Sequence, residues 1–288
     1  MLYRFFSIVF LSLSIIIFQS CDKLEGIEDF TGKIISDHTA AKFSLLNSSK
    51  IEAAKAKLHI AYGHTSHGSQ ITTGMSGLVN FKGSQFAYNN GGSNGALDLR
   101  DTPFSGASDL GNPNRTAWET ATRNYLANHT EINVIMWSWC GQVSGASEQD
   151  INTYLTLMSN LEKDFPKVKF VYMTGHLDGS GLTGNLHLRN EQIRNFCNTN
   201  NKILFDFADI ESYDPDGNYY LDKAANDECN YDSDGNGSRD KNWATIWQNS
   251  HTQDVDWYNC GAAHSQPINA NMKAYAAWNL FCAIAEKM

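Results

Sequence analysis

Apolar positions along the chain fall into two alternating kinds of run. Short, nearly continuous stretches occur at 57–62 (KLHIAY), 132–139 (INVIMWSW), 168–174 (VKFVYMT) and 202–208 (KILFDFA). Runs of this length, rich in β-branched and aromatic residues, predict strands, the second of them apolar throughout as in a parallel sheet covered on both faces. Between them the apolar residues recur every three or four positions. Ile71, Met75 and Leu78 follow the first run, a helical stretch covers 115–128, and another covers 184–198. Ile151, Tyr154, Leu155, Met158 and Leu161 follow Ser147 and Asp150, which have the spacing of a capping signal. A last helix begins after Pro267 and turns Met272, Ala276, Leu280 and Ile284 inward. Strands separated by helices from residue 55 to 286 predict one doubly wound α/β domain, of the flavodoxin-like or SGNH type, with a mostly parallel sheet and helices on both faces.

Two regions break the rhythm. Residues 83–114 hold one short candidate strand (85–88) among Gly, Asn, Ser and Asp, which predicts a loop forming one wall of a site. Residues 209–263 form a long Asp-rich insertion before the C-terminal helix, and so long an irregular stretch is usually functional or held by something extra. Within it, Asp232, Asp234, Asn236, Gly237 and Asp240 have the order of a calcium loop, as, less closely, do Asp214, Asp216, Asn218 and Asp222. Position 12 is Trp243 in one and Ala225 in the other, so a structural Ca²⁺ and plain Asx turns both remain open. Trp243, Trp247 and Trp257 in this stretch read as exposed rings suited to stacking on a sugar, whereas Trp137 and Trp139 read as core.

Composition narrows the functions. The 288 residues are 42% hydrophobic, enough for a sizeable core, and 22 Lys and Arg stand against 31 Asp and Glu for a net charge of −9. No Lys/Arg cluster interrupts that acidity, so nucleic acid is excluded as a partner. Arg4, the apolar run Phe5–Phe18 and the pair Ser20–Cys21 look like a lipoprotein-type signal, too short to span a bilayer as a helix. The expected organisation is a signal over 1–21, a tether and lead-in over 22–50, and the α/β domain over 51–288. The protein is then exported to the cell envelope and anchored to the membrane by a lipid on Cys21; secretion with unmodified Cys21, or a retained anchor, stays open. Five cysteines remain after Cys21. Cys229 with Cys260 is the expected disulfide, and Cys197 and Cys282 fall on helical segments as buried thiols or a second bridge.

In a doubly wound sheet, ligands bind beyond the carboxyl ends of the strands. There the sequence places His64, Thr65, Ser66 and His67 after the first run, then Cys140, Gly141 and Gln142, then His176 and Asp178, and finally Asp206, Asp209 and Glu211. A serine at a helix start directly after a strand has an open hydroxyl beside unpaired main-chain N–H groups. The strings GHTSHG (63–68) and AAHSQPIN (262–269) resemble divergent members of the SGNH (GDSL-like) hydrolase superfamily. That resemblance implies Ser66 as nucleophile, His264 as general base, and Gly111 and Gln142 as oxyanion donors, with no cofactor needed for catalysis. The acid that family carries three residues before its histidine is here Gly261, so His264 is oriented by a main-chain carbonyl or by Asp254 or Asp256. His64, His67, His176, Asp178 and Asp206 are expected to bind substrate. The expected activity is that of an esterase removing acyl groups from carbohydrate or another small acylated substrate. Two alternatives stand beside it: a metal-dependent glycan-active enzyme using His64, His67, His176 and Asp206, and a non-catalytic glycan-binding lipoprotein.

Overall fold

The computed structural model describes residues 33–288; the signal-like segment and Cys21 lie outside the described residues. The sheet strands are β1 (Ile35–Ser36), β2 (His59–Gly63), β3 (Tyr88–Asn89), β4 (Leu97–Asp101), β5 (Val134–Trp137), β6 (Lys169–Met173) and β7 (Ile203–Phe205). They form one seven-stranded sheet in the order β1-β7-β6-β5-β2-β4-β3, and every pairing is parallel. The protein is thus an α/β fold of the doubly wound type. The chain first winds outward from β2 through β4, then returns to start β5 on the other side of β2. The switch point therefore lies between β2 and β5, where such sheets open a crevice at their carboxyl ends.

Each strand divides its side chains between two cores. Ile60, Tyr62, Val134, Met136, Val171 and Met173 pack on one face, against α1 (Ser48–Lys57), α2 (Ser69–Lys82) and α8 (Pro267–Glu286). Ala61, Ile135, Trp137, Phe170 and Tyr172 pack on the other, against α3 (Ala117–Asn128), α4 (Glu148–Asp164) and α5 (Asn185–Thr199). Burial on both faces is why these strands read as continuous apolar runs. The Ser147–Asp150 capping box closes as expected: Ser147 Oγ accepts from Asp150 N, and Asp150 Oδ2 accepts from Ser147 N at 2.8 Å. Trp137 and Trp139 are core, also as expected.

Four expectations need correction. The lead-in belongs to the domain from residue 33 on, because β1 pairs with β7 and Ile34 and Ala41 are buried. Residues 83–114 contain the full strand β4, whose Asp98 and Arg100 disguise it as loop; Asp98 accepts from Arg100 and from main-chain Gly91 and faces His59. The insertion carries short elements of its own: α6 (Phe207–Glu211), the hairpin β8 (Asn230–Tyr231) with β9 (Lys241–Asn242), and α7 (Trp243–Ser250). Its Trp243 and Trp247 are buried in the α8-side core rather than displayed, and Trp257 is half-buried against it. Finally, the five described cysteines are all free. Cys229 Sγ faces Ser265 Oγ at 3.3 Å and Cys260 Sγ accepts from Asn271 Nδ2 at 3.4 Å, so Cys229 and Cys260 are not joined. No helix among the described residues is long and apolar enough to cross a membrane.

Candidate active site

The carboxyl ends of β2, β5 and β6 are crowded to contact. Gly63 lies in register with Trp137, and a Cβ there would stand 2.3 Å from the indole. A Cβ on Gly68 would stand 2.2 Å from Ser138 Oγ. These glycines let the turn 64–68 lie flat across the end of β5, which brings His67 to Cys140.

Cys140 Sγ lies 3.3 Å from His67 Nδ1, and His67 Nε2 lies 2.9 Å from Asp227 Oδ2. The carboxylate accepts, so Nε2 carries a proton and Nδ1 is the ring atom turned to sulfur. Asp227 comes from the insertion, held in place as its own N–H donates to Leu177 O at 3.1 Å. Cys140 is half-buried and His67 is 7% exposed. Burial alone would raise the Cys140 thiol, but hydrogen bonds from His67, Thr65 and Ser66 outweigh it and hold the thiol below its ordinary value. Burial likewise pulls His67 down, and the bonds to Asp227 and Cys140 reverse this and raise it. Asp227 is held low: burial opposes, while the His67 hydrogen bond and the neighbouring imidazoles prevail. The three shifts favour a thiolate, an imidazolium and a carboxylate in a row.

Two further histidines sandwich that ring. His176 stacks on His67 with centroids 3.6 Å apart and planes 4° apart, and His264 covers the other side at 4.5 Å and 18°. Burial pulls His176 down, and its Nδ1–H donates to Leu177 O at 2.8 Å. His264 adopts φ +60°, a conformation that costs a residue with a Cβ about 1–2 kcal/mol. The flanking main chain is pinned by Gln70 Nε2 donating to Ala263 O at 2.6 Å. Beneath the three histidine segments lies a buried ion pair: Lys273 Nζ donates to Glu211 Oε1 at 2.5 Å and to Gln70 Oε1, and Glu211 Oε2 accepts from Leu177 N at 2.9 Å.

The residues expected from sequence separate into two groups. Ser66, His67, His176 and His264 do converge, but Ser66 and His264 are not hydrogen-bonded to each other. Ser66 Oγ faces Cys140 Sγ at 3.8 Å, and His264 turns its face to His67. Neither Asp254 nor Asp256 bonds His264; Asp256 caps Thr252 N instead. Gly111 and Gln142 are not free to hold an oxyanion. Gly111 N and Gln142 Nε2 both donate to Asp109 Oδ1, at 2.8 and 3.1 Å, while Gln142 Oε1 accepts from Cys140 N at 2.9 Å. Together with Thr65 Oγ1 on Asp109 Oδ2, they set the main chain around Cys140. Among the described residues nothing accepts from the main-chain N–H of Ser66 or His67, in the turn ahead of α2.

His64 has both ring nitrogens engaged, Nε2 with Asp101 Oδ1 at 2.6 Å and Nδ1 with Thr65 O at 2.9 Å. Asp178 is an Asx turn on Ser180, and Asp206 is bridged by Arg194 through Nε at 2.6 Å and Nη2 at 2.8 Å, so neither reaches the site. In the loop 232–240, Asp232 accepts from the main-chain N–H of Gly235 and Gly237, and Asp240 from Ser233. Cys140 and Asp227 are the candidate site residues that sequence reasoning missed; Cys140 was noted at a strand end, but it meets His67 across 73 positions of the chain, and Asp227 meets His67 across 160.

The cysteines give a direct test. Burial pushes Cys229 and Cys260 up to about 12 and Cys282 to about 11, and raises Cys197 as well. A depressed thiol is already ionised at a pH where an ordinary one is not. Iodoacetamide at neutral pH should therefore alkylate Cys140 first among the five described thiols, with a rate-versus-pH midpoint below that of a free thiol; equal labelling of those five by mass spectrometry would contradict the electrostatics.

Comparisons with family models, with curated proteins and with solved structures returned no match.

Proposed function

We propose that this protein is a cysteine-dependent acyl hydrolase, with Cys140 as nucleophile, His67 as acid and base, and Asp227 orienting His67. The observation that carries this reading is the unbroken line from Cys140 Sγ through the His67 ring to Asp227 Oδ2. A thiolate attacks an ester carbonyl, and the oxyanion that forms meets the unpaired main-chain N–H groups of Ser66 and His67. Collapse expels the alcohol oxygen, which takes the proton from His67 Nδ1, and leaves a thioester on Cys140. His67 then draws a proton from water, which cleaves the thioester, releases the carboxylic acid and restores the thiol.

The substrate fits a small hydroxylated ester such as an acylated sugar. Next to the His64 turn is a cavity of about 260 Å³ walled by Phe104 and Trp137, whose rings stack at 4.2 Å, with Thr102 and Ser108 as polar groups. The signal-like segment supports a place in the cell envelope. Ser66 as nucleophile, as in SGNH hydrolases, is the second reading, favoured by its 3.8 Å approach to Cys140 Sγ. Acid-quenched protein incubated with p-nitrophenyl acetate separates the two: the acetyl mass is expected on the peptide carrying Cys140, and an acetyl on Ser66 would transfer the role to the serine.

A further inference from the structure

The chemistry above leaves one buried polar atom without a task. His176 is 8% exposed, its Nδ1–H is committed to Leu177 O at 2.8 Å, and its Nε2 has no partner. Since the carbonyl only accepts, the proton sits on Nδ1 and Nε2 presents a bare lone pair. The position of a Cβ on Gly141 would lie 3.9 Å from that nitrogen, and beyond Gly141 and its own chain neighbours nothing else comes within 4 Å, so room exists beside it.

Ligand atoms of His67, His176 and Asp227 all lie within 4.8 Å of one another. Each ring is already held from behind, His67 by Cys140 Sγ at Nδ1 and His176 by Leu177 O at Nδ1. Histidines that ligate metals need that outer hydrogen bond to fix tautomer and orientation. We propose that His67 Nε2, His176 Nε2 and Asp227 bind one divalent transition metal ion, zinc being the probe of choice. The ion replaces the proton between His67 and Asp227, which leaves to solvent. Two imidazoles and a carboxylate with a fourth position open to water are a set that zinc accepts.

The geometry also says what binding must change. Zinc holds nitrogen and oxygen at about 2.0–2.2 Å, which places ligand atoms roughly 3.3 Å apart in a tetrahedron. Lone pairs of two rings only 4° from parallel do not converge on a point. His176 therefore has to tilt out of its stack as the ligands draw in. The consequence for activity rests on the thiol reading, though the binding does not: with the ion on Nε2, His67 is tied to metal rather than to Asp227, and turnover falls as the site fills.

Chelator-stripped protein titrated with zinc by calorimetry tests this directly. The wild type and Cys140→Ser, which keeps an acceptor for His67 Nδ1, are expected to bind one ion with similar affinity, while His176→Gln and Asp227→Asn, each missing a ligand, bind at least about 100-fold more weakly. Binding unchanged in His176→Gln, or lost in Cys140→Ser, overturns the assignment. If His176→Gln does not fold by circular dichroism, cobalt added to the wild type decides: d–d bands without a thiolate charge-transfer band support the nitrogen and oxygen set, and a strong thiolate band overturns it. Ester turnover by the wild type should fall in step with zinc occupancy and return with EDTA; turnover unaffected at full occupancy overturns the inhibitory role and leaves the thiol reading intact. An inactive protein that still binds zinc through these residues overturns the thiol reading alone.

Discussion

Cys140→Ala is expected to lower kcat/KM for ester hydrolysis by roughly 10⁴-fold or more, because it removes the atom that forms the covalent intermediate. Ser66→Ala, by contrast, removes one weak contact at 3.8 Å and should stay within about 10-fold of the wild type. The comparison decides the nucleophile in a single assay on chelator-treated protein. Near-complete loss in Ser66→Ala, with Cys140→Ala active, would return the role to the serine. Burial differences favour the test being clean: both side chains are only half-buried, so neither replacement opens a cavity deep in the core.

The second large effect is on stability. Lys273 and Glu211 have no exposed side-chain area, and the ammonium also lies 3.9 Å over the Phe207 ring. Burial pulls the Lys273 ammonium down, and the Glu211 carboxylate opposes that shift. Lys273→Met leaves Glu211 as an uncompensated buried charge, which costs about 3–5 kcal/mol. In a domain of this size that lowers Tm on the order of 10 °C. Adding Glu211→Gln removes the stranded charge while keeping an acceptor for Leu177 N, and should recover much of the loss. A single Lys273→Met with Tm within about 2 °C of wild type would mean that the pair contributes no net charge interaction. The same pair joins Gln70, Leu177 and, through Gln70, Ala263, so its loss also loosens the segments bearing His67, His176 and His264.

Much of the fold was legible because the central strands are covered on both faces. HIAYG, VIMW and KFVYM announce themselves as apolar runs, and the helices beside them by their periodicity. β4 was not legible, since Asp98 and Arg100 are polar residues satisfied by each other and, at a distance no local pattern reveals, by His59 on Asp98 and Glu131 on Arg100. β1 was lost because a strand of two residues has no period at all.

The site was legible only as a place. The strand ends pointed to His67 and His176 and the family resemblance to His264, and the structure does bring these three together. Their roles depended on contacts across the chain: Cys140 meets His67 over 73 positions, and Asp227 meets it over 160. Asp227 was hidden further by its setting in the insertion, among many acids that make Asx turns. Gly111 and Gln142 sat where family order placed oxyanion donors, yet Asp109, buried and fixed, draws both to itself.

The pairing of β1 with β7 has an orientational consequence. β1 runs parallel to the other strands, so the chain enters the sheet at the edge from the Lys202 side and travels toward the end where Cys140 sits. Lys33, exposed just ahead of β1, therefore lies at the opposite pole, and protein coupled to a surface through that side chain would present the Cys140 cluster to the bulk solution.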